Sequence, residues 1–411
     1  MYSIISVLEL AAHIERVFRE ESGRIVASLI RFSGSFDLAE EALQDALARA
    51  IAAWPISGIP DNPGAWLTAA ARRKLIDELR REKTRREKAP EIAYLAEAIT
   101  QEEEMPDDRL SLIFTCCHPA LNQEAQIALT LRTLGGLTTT EIARSFLMPE
   151  PAIAQRLVRA KKKIRDARIP YEVPGLDRLP ERLEAVRTVI YLIFNEGYSA
   201  TFGDGLIRGD LCAEAIRLGR VLCELMPGEL ENSGLLALML LQDSRRAART
   251  GPKGELITLE HQSRSLWNRD QILEARGLLN GEASGRYGIE ARIALAHASA
   301  ATPADTDWQR IAGLYNELAR MIPSPVIELN RAVAIAMADG FETGLALIDA
   351  LSGLDEYHLY HAARADLLRR LKRDSEAAAA YRRALELVTN PVEREYLAAR
   401  LDSVEGRMLG Q

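Results

Sequence analysis

Within PEPAIAQRLVRAKKKIR, residues 149–165, the apolar residues Ile153, Leu157, Ala160 and Ile164 recur at steps of four, three and four. That spacing collects them into one stripe only if the segment is an α-helix with one buried face. Comparable patterning runs along most of the chain. Long Ala-, Leu-, Arg- and Glu-rich stretches, with few alternating β-branched residues and 6% aromatics, predict helices nearly throughout and no substantial sheet. The expected fold class is all-α, and 411 residues with 47% hydrophobic side chains allow two or three packed domains. The first segment, MYSIISVLELAAHIERVF, lacks a basic leading region and is interrupted by Glu9, His13, Glu15 and Arg16. It therefore reads as neither a signal peptide nor a membrane span, and a cytoplasmic protein without a membrane partner is expected. Four cysteines agree, because Cys116 and Cys117 are adjacent, Cys212 and Cys223 lie far away, and no disulfide framework is suggested.

Charge is unevenly distributed. Residues 1–168 carry as many acids as bases, so the net charge of -7 sits in the remainder. Inside that first part, 69–88 and 151–168 are strongly basic, whereas 91–108 holds seven acids and no Lys or Arg. The pattern describes two positive modules joined by a negative linker.

In the second module, LTTTEIARSFLMPEP precedes the basic helix. Thr138 and Glu141 make a capping box, and Ile142, Ala143, Phe146 and Leu147 give the short helix an apolar face. Pro151 suits the first turn of the next helix. A capped short helix, a tight turn and a longer basic helix form the helix-turn-helix pattern. Ala154, Gln155, Arg156 and Arg159 would then face bases, with Lys161, Lys162, Lys163 and Arg165 near phosphates. An αα-hairpin with a solvated basic face fits this segment as well.

In the first module, DLAEEALQDALARAIAAW (37–54) has an apolar face of Leu38, Ala42, Leu43, Ala46 and Ala50, with acids elsewhere. The loop PISGIPDNPG and the basic segment AWLTAAARRKLIDELRREKTRR follow. These segments resemble regions 2.2 to 2.4 of the bacterial extracytoplasmic-function sigma factors, and 110–168 resembles their region 4. The resemblance implies a promoter-specificity subunit of RNA polymerase, not an enzyme, with no cofactor and no metal. It implies that Asp37, Glu40, Glu41, Gln44 and Asp45 dock on the β′ clamp helices of core polymerase. The loop from Ser57 to Asn62 would open and read the minus-10 element, with Arg72, Arg73, Lys74 and Arg80 on the strand's phosphates. Trp66 would stack on a base or pack in the core. Region 4 would meet the β flap and read the minus-35 element. Two departures matter: Arg73 stands where the family often has Asn, and Ala154 where many relatives carry a long polar side chain. Reading of the minus-35 element would then lean on Gln155 and Arg156.

The resulting division is 1–88 as region 2, 89–109 as an acidic linker, 110–170 as region 4 and 180–411 as a helical extension. In the extension, FETGLALIDAL (341–351) and SEAAAAYRRAL (375–385) lie 34 residues apart, the tetratricopeptide period, and 213–227 resembles another second helix of such a pair. With YLIFNEGYSATFGDG (191–205) and LLALMLLQDSRRAAR (235–249), the extension resembles that of a sigma-factor subgroup with a C-terminal tetratricopeptide-like domain. It implies a regulatory domain, with a protein or peptide ligand on the repeats. The alternative is a helix-turn-helix regulator with a repeat sensor domain and no polymerase contact. Three tempting sites read as structural. The glycines of 197–205 lack a following Gly-Lys-Ser/Thr, Cys116, Cys117 and His118 are too close in sequence to converge on one ion, and His358 and His361 show no carboxylate or Cys partner.

Overall fold

In the computed structural model, which describes residues 7–86, 108–146, 148–198, 208–252, 254–279 and 284–409, the first helix, α1 (Val7–Ser33), is buried on every side along part of its length. Ile25, Val26, Ala27, Ser28, Leu29 and Ile30 are consecutive, and none is more than 3% exposed. Six consecutive residues point all round a helix, so this stretch has no solvent face. Helices α2 (Phe36–Ser57) and α3 (Pro63–Arg86) pack against it, and so do α4 (Arg109–Cys116) and α5 (Gln123–Thr133) from further along the chain. The two basic modules of the sequence therefore share α1. The acidic linker expected at 89–109 lies, apart from its last two residues, outside the described residues, as do residues 199–205 of the glycine-rich stretch.

Local chemistry sets the boundaries. Ser35 Oγ accepts the Leu38 N–H at 3.3 Å and starts α2, whose buried face includes Ala42, Leu43, Ala46 and Ala50 as expected, while Leu38 is half-buried. The helix does not stop at Pro55 but runs on to Ser57, and Gly58, with φ +81°, ends it by donating to the Trp54 carbonyl at 3.1 Å. Proline is tolerated in this last turn because the carbonyl it leaves without a donor belongs to Ile51, an exposed residue. The loop to α3 is correspondingly shorter than the sequence implies.

Further on, the capping box is present. Thr138 N–H donates to Glu141 Oε2 at 2.7 Å and Glu141 N–H to Thr138 Oγ1 at 3.1 Å, which opens α6 (Thr139–Ser145). Helix α7 (Glu150–Asp166) follows and buries Ile153, Leu157, Ala160 and Ile164 against α5 and α6. The turn between α5 and α6 lies directly on α1. Gly136 has φ +67°, and a Cβ there would come within 2.8 Å of Ser22 Oγ, so only glycine fits this approach. Beyond α7, the Tyr171 hydroxyl donates to the Ala27 carbonyl at 2.8 Å and ties the proline-rich stretch to α1.

The chain divides into two compact units between Ile190 and Tyr191, within α8 (Leu179–Tyr198), not at the proline-rich break. In the second unit, α9 (Gly209–Leu225), α10 (Leu230–Asp243), α11 (Arg269–Leu278) and α12 (Arg286–Ser299) surround a second wholly buried run, Leu235 to Leu241 on α10. Glu231 accepts the N–H groups of Tyr287 and Gly288, at 2.9 and 3.1 Å, at the start of α12. Helices α13 (Trp308–Met321), α14 (Pro325–Asp339), α15 (Phe341–Asp349), α16 (His358–Arg370), α17 (Asp374–Leu387) and α18 (Pro391–Leu409) then pack each on the next. The two segments with 34-residue spacing start on α15 and α17, and 213–227 starts on α9. Among the described residues there is no strand, only an isolated bridge between Thr250 and Leu256, and the fold is all-α. No described helix is long and apolar enough to cross a membrane.

Because Leu29 is fully buried in the shared helix, Leu29→Ala should lower the unfolding free energy by about 2–5 kcal/mol. Exposed Arg24→Ala, one turn away, should stay within about 0.5 kcal/mol in the same denaturant titration.

Candidate protein and nucleic-acid interface

The acids of α2 are not a free solvated row. Asp37 and Glu40 both hold Lys161 of α7, at 3.0 and 2.9 Å, and Glu40 also stands 4.0 Å from Arg132 of α5. Lys161 and Glu40 are each under a fifth exposed, so solvent screens their interaction less than it would a surface pair. Glu41 lies 3.8 Å from Lys74 of α3, and Asp45 pairs with Arg49 one turn along at 2.6 Å. Gln44 is exposed between them.

On the loop and α3, the residues expected near the minus-10 strand divide into two groups. Ser57 belongs to the last turn of α2, where its hydroxyl donates to the Ala53 carbonyl at 3.0 Å. Asn62 caps α3, accepting the Ala65 N–H at 3.0 Å. Trp66 is half-buried and meets the buried Trp54 edge to face, with ring centroids 5.5 Å apart, which favours packing over a free stacking platform. Arg72 lies 6.0 Å from the centre of the Phe32 ring. Lys74 donates to Glu78 at 2.8 Å, and that bond raises its pKa. Arg73 and Arg80 point outward, exposed.

Helix α7 presents Ala154, Gln155, Arg159, Lys162, Lys163 and Arg165 to solvent. Among the described residues Arg159, Lys162 and Lys163 have no carboxylate within ion-pair distance, which leaves three charges available to phosphates. Two of the expected DNA-facing residues are instead engaged by the protein. Arg156 pairs with Glu124 of α5 at 2.7 Å and donates to Met148 Sδ at 3.5 Å, and Lys161 is the residue held by α2. Reasoning from the sequence missed Arg132, Glu124 and the contact of Arg19 on α1 with Glu141 at 2.8 Å. No local pattern marks them, since each is defined by a partner on another helix.

The cysteines and histidines set aside are engaged within the fold. Cys116 and Cys117 are fully buried, and their thiols lie 3.2 and 3.7 Å from the hydroxyls of Thr133 and Thr130. Burial pushes Cys117 up to about 12 and Cys116 higher still. No group of metal-ligating side chains occurs among the described residues. His358 does have a carboxylate partner, Glu393 of α18 at 3.2 Å, which its own helix could not reveal, and His361 Nε2 lies 2.9 Å from the Asp355 carbonyl.

Comparison with known proteins places names on these modules. Residues 17–85 match sigma-70 region 2, residues 111–164 match sigma-70 region 4, and residues 182–283 match a family of unknown function (DUF6596). An uncharacterized protein of Rhizobium meliloti (strain 1021) is 44% identical over 391 residues, covering 92% of both chains. A probable ECF RNA polymerase sigma factor, SigI of Mycobacterium tuberculosis, is 25% identical over 177 residues, which is 41% of this chain and 60% of that protein. No solved structure matches.

With its thiol pushed up to about 12, Cys117 should stay protonated and resist iodoacetamide throughout pH 7–9 in the folded protein. Its alkylation should appear only with denaturant, as followed by peptide mass spectrometry; rapid labelling of Cys117 in the native state would contradict its burial.

Proposed function

We propose that this chain, which belongs to the sigma-70 family and, over nearly its whole length, to one family with its Rhizobium meliloti relative, is an extracytoplasmic-function-type promoter-specificity subunit of RNA polymerase regulated by its own C-terminal unit. The carrying observation is that regions 2 and 4 occur in order on the two modules that share α1. In this reading Asp37, Glu40, Glu41, Gln44 and Asp45 on α2 meet the β′ clamp helices of core polymerase. Region 4 meets the β flap, and α7 enters the major groove of the minus-35 element. There Gln155 reads base edges, joined by Arg156 once it leaves Glu124, while Arg159, Lys162 and Lys163 neutralise phosphates. Arg73 and Arg80, exposed on α3, follow the backbone of the minus-10 strand, and Asn62 lies at the start of that helix.

In the free chain, part of each surface is committed to the other. Lys161 can serve a phosphate only by leaving Asp37 and Glu40, and Glu40, under a fifth exposed, is the acid more fully committed to it than the exposed Asp37. The second unit, a run of consecutively packed helices, supplies the regulatory surface in this reading, and its repeats would carry a protein or peptide ligand. A helix-turn-helix regulator without polymerase contact would need region 4 alone and would leave the acids of α2 with no role beyond their ion pairs inside the chain.

Run-off transcription with core polymerase tests the reading. The full chain should bind core enzyme and start transcription at a defined site on its promoter, and a chain ending at Ile190 should report whether the second unit restrains or supports that activity. Lys162→Ala should weaken binding to all promoters and reduce the salt slope by about 1. No association with core polymerase, under conditions where another sigma factor binds, would refute the proposal.

A second measurement addresses the closed contact. Lys161→Gln frees Asp37 and Glu40, and core binding in a competition assay should rise about two- to fivefold, the scale of a partly exposed ion pair. Weaker core binding would show that the pair is not inhibitory.

A further inference from the structure

The second unit contains a cavity of about 650 Å³ bordered by α10, α12, α13 and α14. This is in the range of small-molecule sites. Ile293, Leu318 and Ile327 belong to its apolar wall, while Arg245, His297 and Asn330 bring polar groups to it. The polar groups are not evenly balanced. On one part of the wall Arg286 is neutralised by Glu290 at 3.0 Å. Arg245, in contrast, donates to the Tyr198 hydroxyl at 3.2 Å and to Gln242 Oε1, and has no carboxylate within ion-pair distance among the described residues.

Two further guanidinium groups surround Arg245. Arg249 donates to the Tyr198 carbonyl and lies over the Tyr198 ring at 3.7 Å. Arg264 donates to the His297 carbonyl at 2.7 Å and lies over the Trp267 ring at 4.5 Å, and its Nε is buried with no hydrogen-bond partner. Neither is ion-paired to a carboxylate among the described residues. Burial, and then the charges of Arg245 and Arg264, push His297 down to about 4, so the ring is neutral at physiological pH. Its nitrogens make no hydrogen bond within the described protein, and the ring meets Trp308 edge to face. Glu393 and Asp305 act on Arg249 and Arg264 only from a distance, and clustered, partly buried cations with no carboxylate in contact are costly unless something anionic completes them.

We propose that this cavity binds a small organic acid with an apolar body, the carboxylate on Arg245 and the hydrocarbon against Ile293, Leu318 and Ile327. A single guanidinium fork matches a carboxylate in bidentate geometry. A bare inorganic anion would satisfy the charge and leave the apolar wall uncovered. Neutral His297 and Asn330 offer further polar atoms to the acid group. The site is carried by the second unit alone, and its test is a binding measurement whose failure leaves the sigma-factor reading untouched.

Octanoate is the probe, measured by calorimetry on the full chain, with 1-octanol and inorganic phosphate as comparators. Octanoate should bind at least about tenfold more tightly than 1-octanol, and phosphate should bind no better than 1-octanol. Arg245→Gln should lower octanoate affinity at least about tenfold and leave 1-octanol unchanged. In parallel, the unaltered protein should be photolabelled by a diazirine analogue of octanoate on peptides containing Ile293, Leu318 or Ile327, with octanoate competing. No octanoate binding at millimolar concentration, equal affinity for octanoate and 1-octanol, tighter binding of phosphate alone, unchanged affinity in a folded Arg245→Gln variant, or labelling confined to other peptides would each overturn the proposal.

Discussion

Everything in the first unit depends on the burial of α1 from Ile25 to Ile30. A helix with apolar residues on all faces cannot be stabilised by one neighbour, and α2 and α3 cover it together with α4 and α5. The two modules that a sequence divides so readily thus share a core. At about 25 cal/mol per Å² of apolar surface, separating them by even a few hundred Å² costs several kcal/mol, comparable with the whole ~5–15 kcal/mol stability of an ordinary domain. The ion pairs between the modules are placed by this docking and do not create it.

That placement gives the charge pattern a structural meaning. The acids of α2 and the bases of α7 act as counter-charges for one another at Lys161, while Arg159, Lys162 and Lys163 remain outward. One helix therefore carries both a tether to the protein and an open electrostatic face, divided by which side of the buried stripe each cation occupies. Arg156, held by Glu124, adds a further tie within region 4 itself.

How legible all this was depended on the range of the physics involved. The stripe of α7, the capping box at Thr138 and the buried face of α2 follow from contacts three or four residues apart, and each lies where periodicity puts it. The end of α2 was misplaced because proline usually marks a boundary, yet Pro55 falls in a last turn where its missing donor matters little. Lys161 and Glu40 are 121 residues apart, and His358 and Glu393 belong to different helices, so no local pattern could join them. The all-round burial of α1 was equally hidden, since a mostly apolar run with Ser28 in its middle does not say how many neighbours will cover it.

The two-to-one arrangement at Lys161 also bears on how such a surface can vary over generations. Either acid can be lost while the other keeps the lysine compensated, so for this contact alone Asp37 and Glu40 are redundant. The lysine is the one cation of its helix that pairs with both acids among the described residues. Its replacement deprives both acids of that partner in one step, leaving Arg132 at 4.0 Å from Glu40, which makes the cation the less changeable end of the contact.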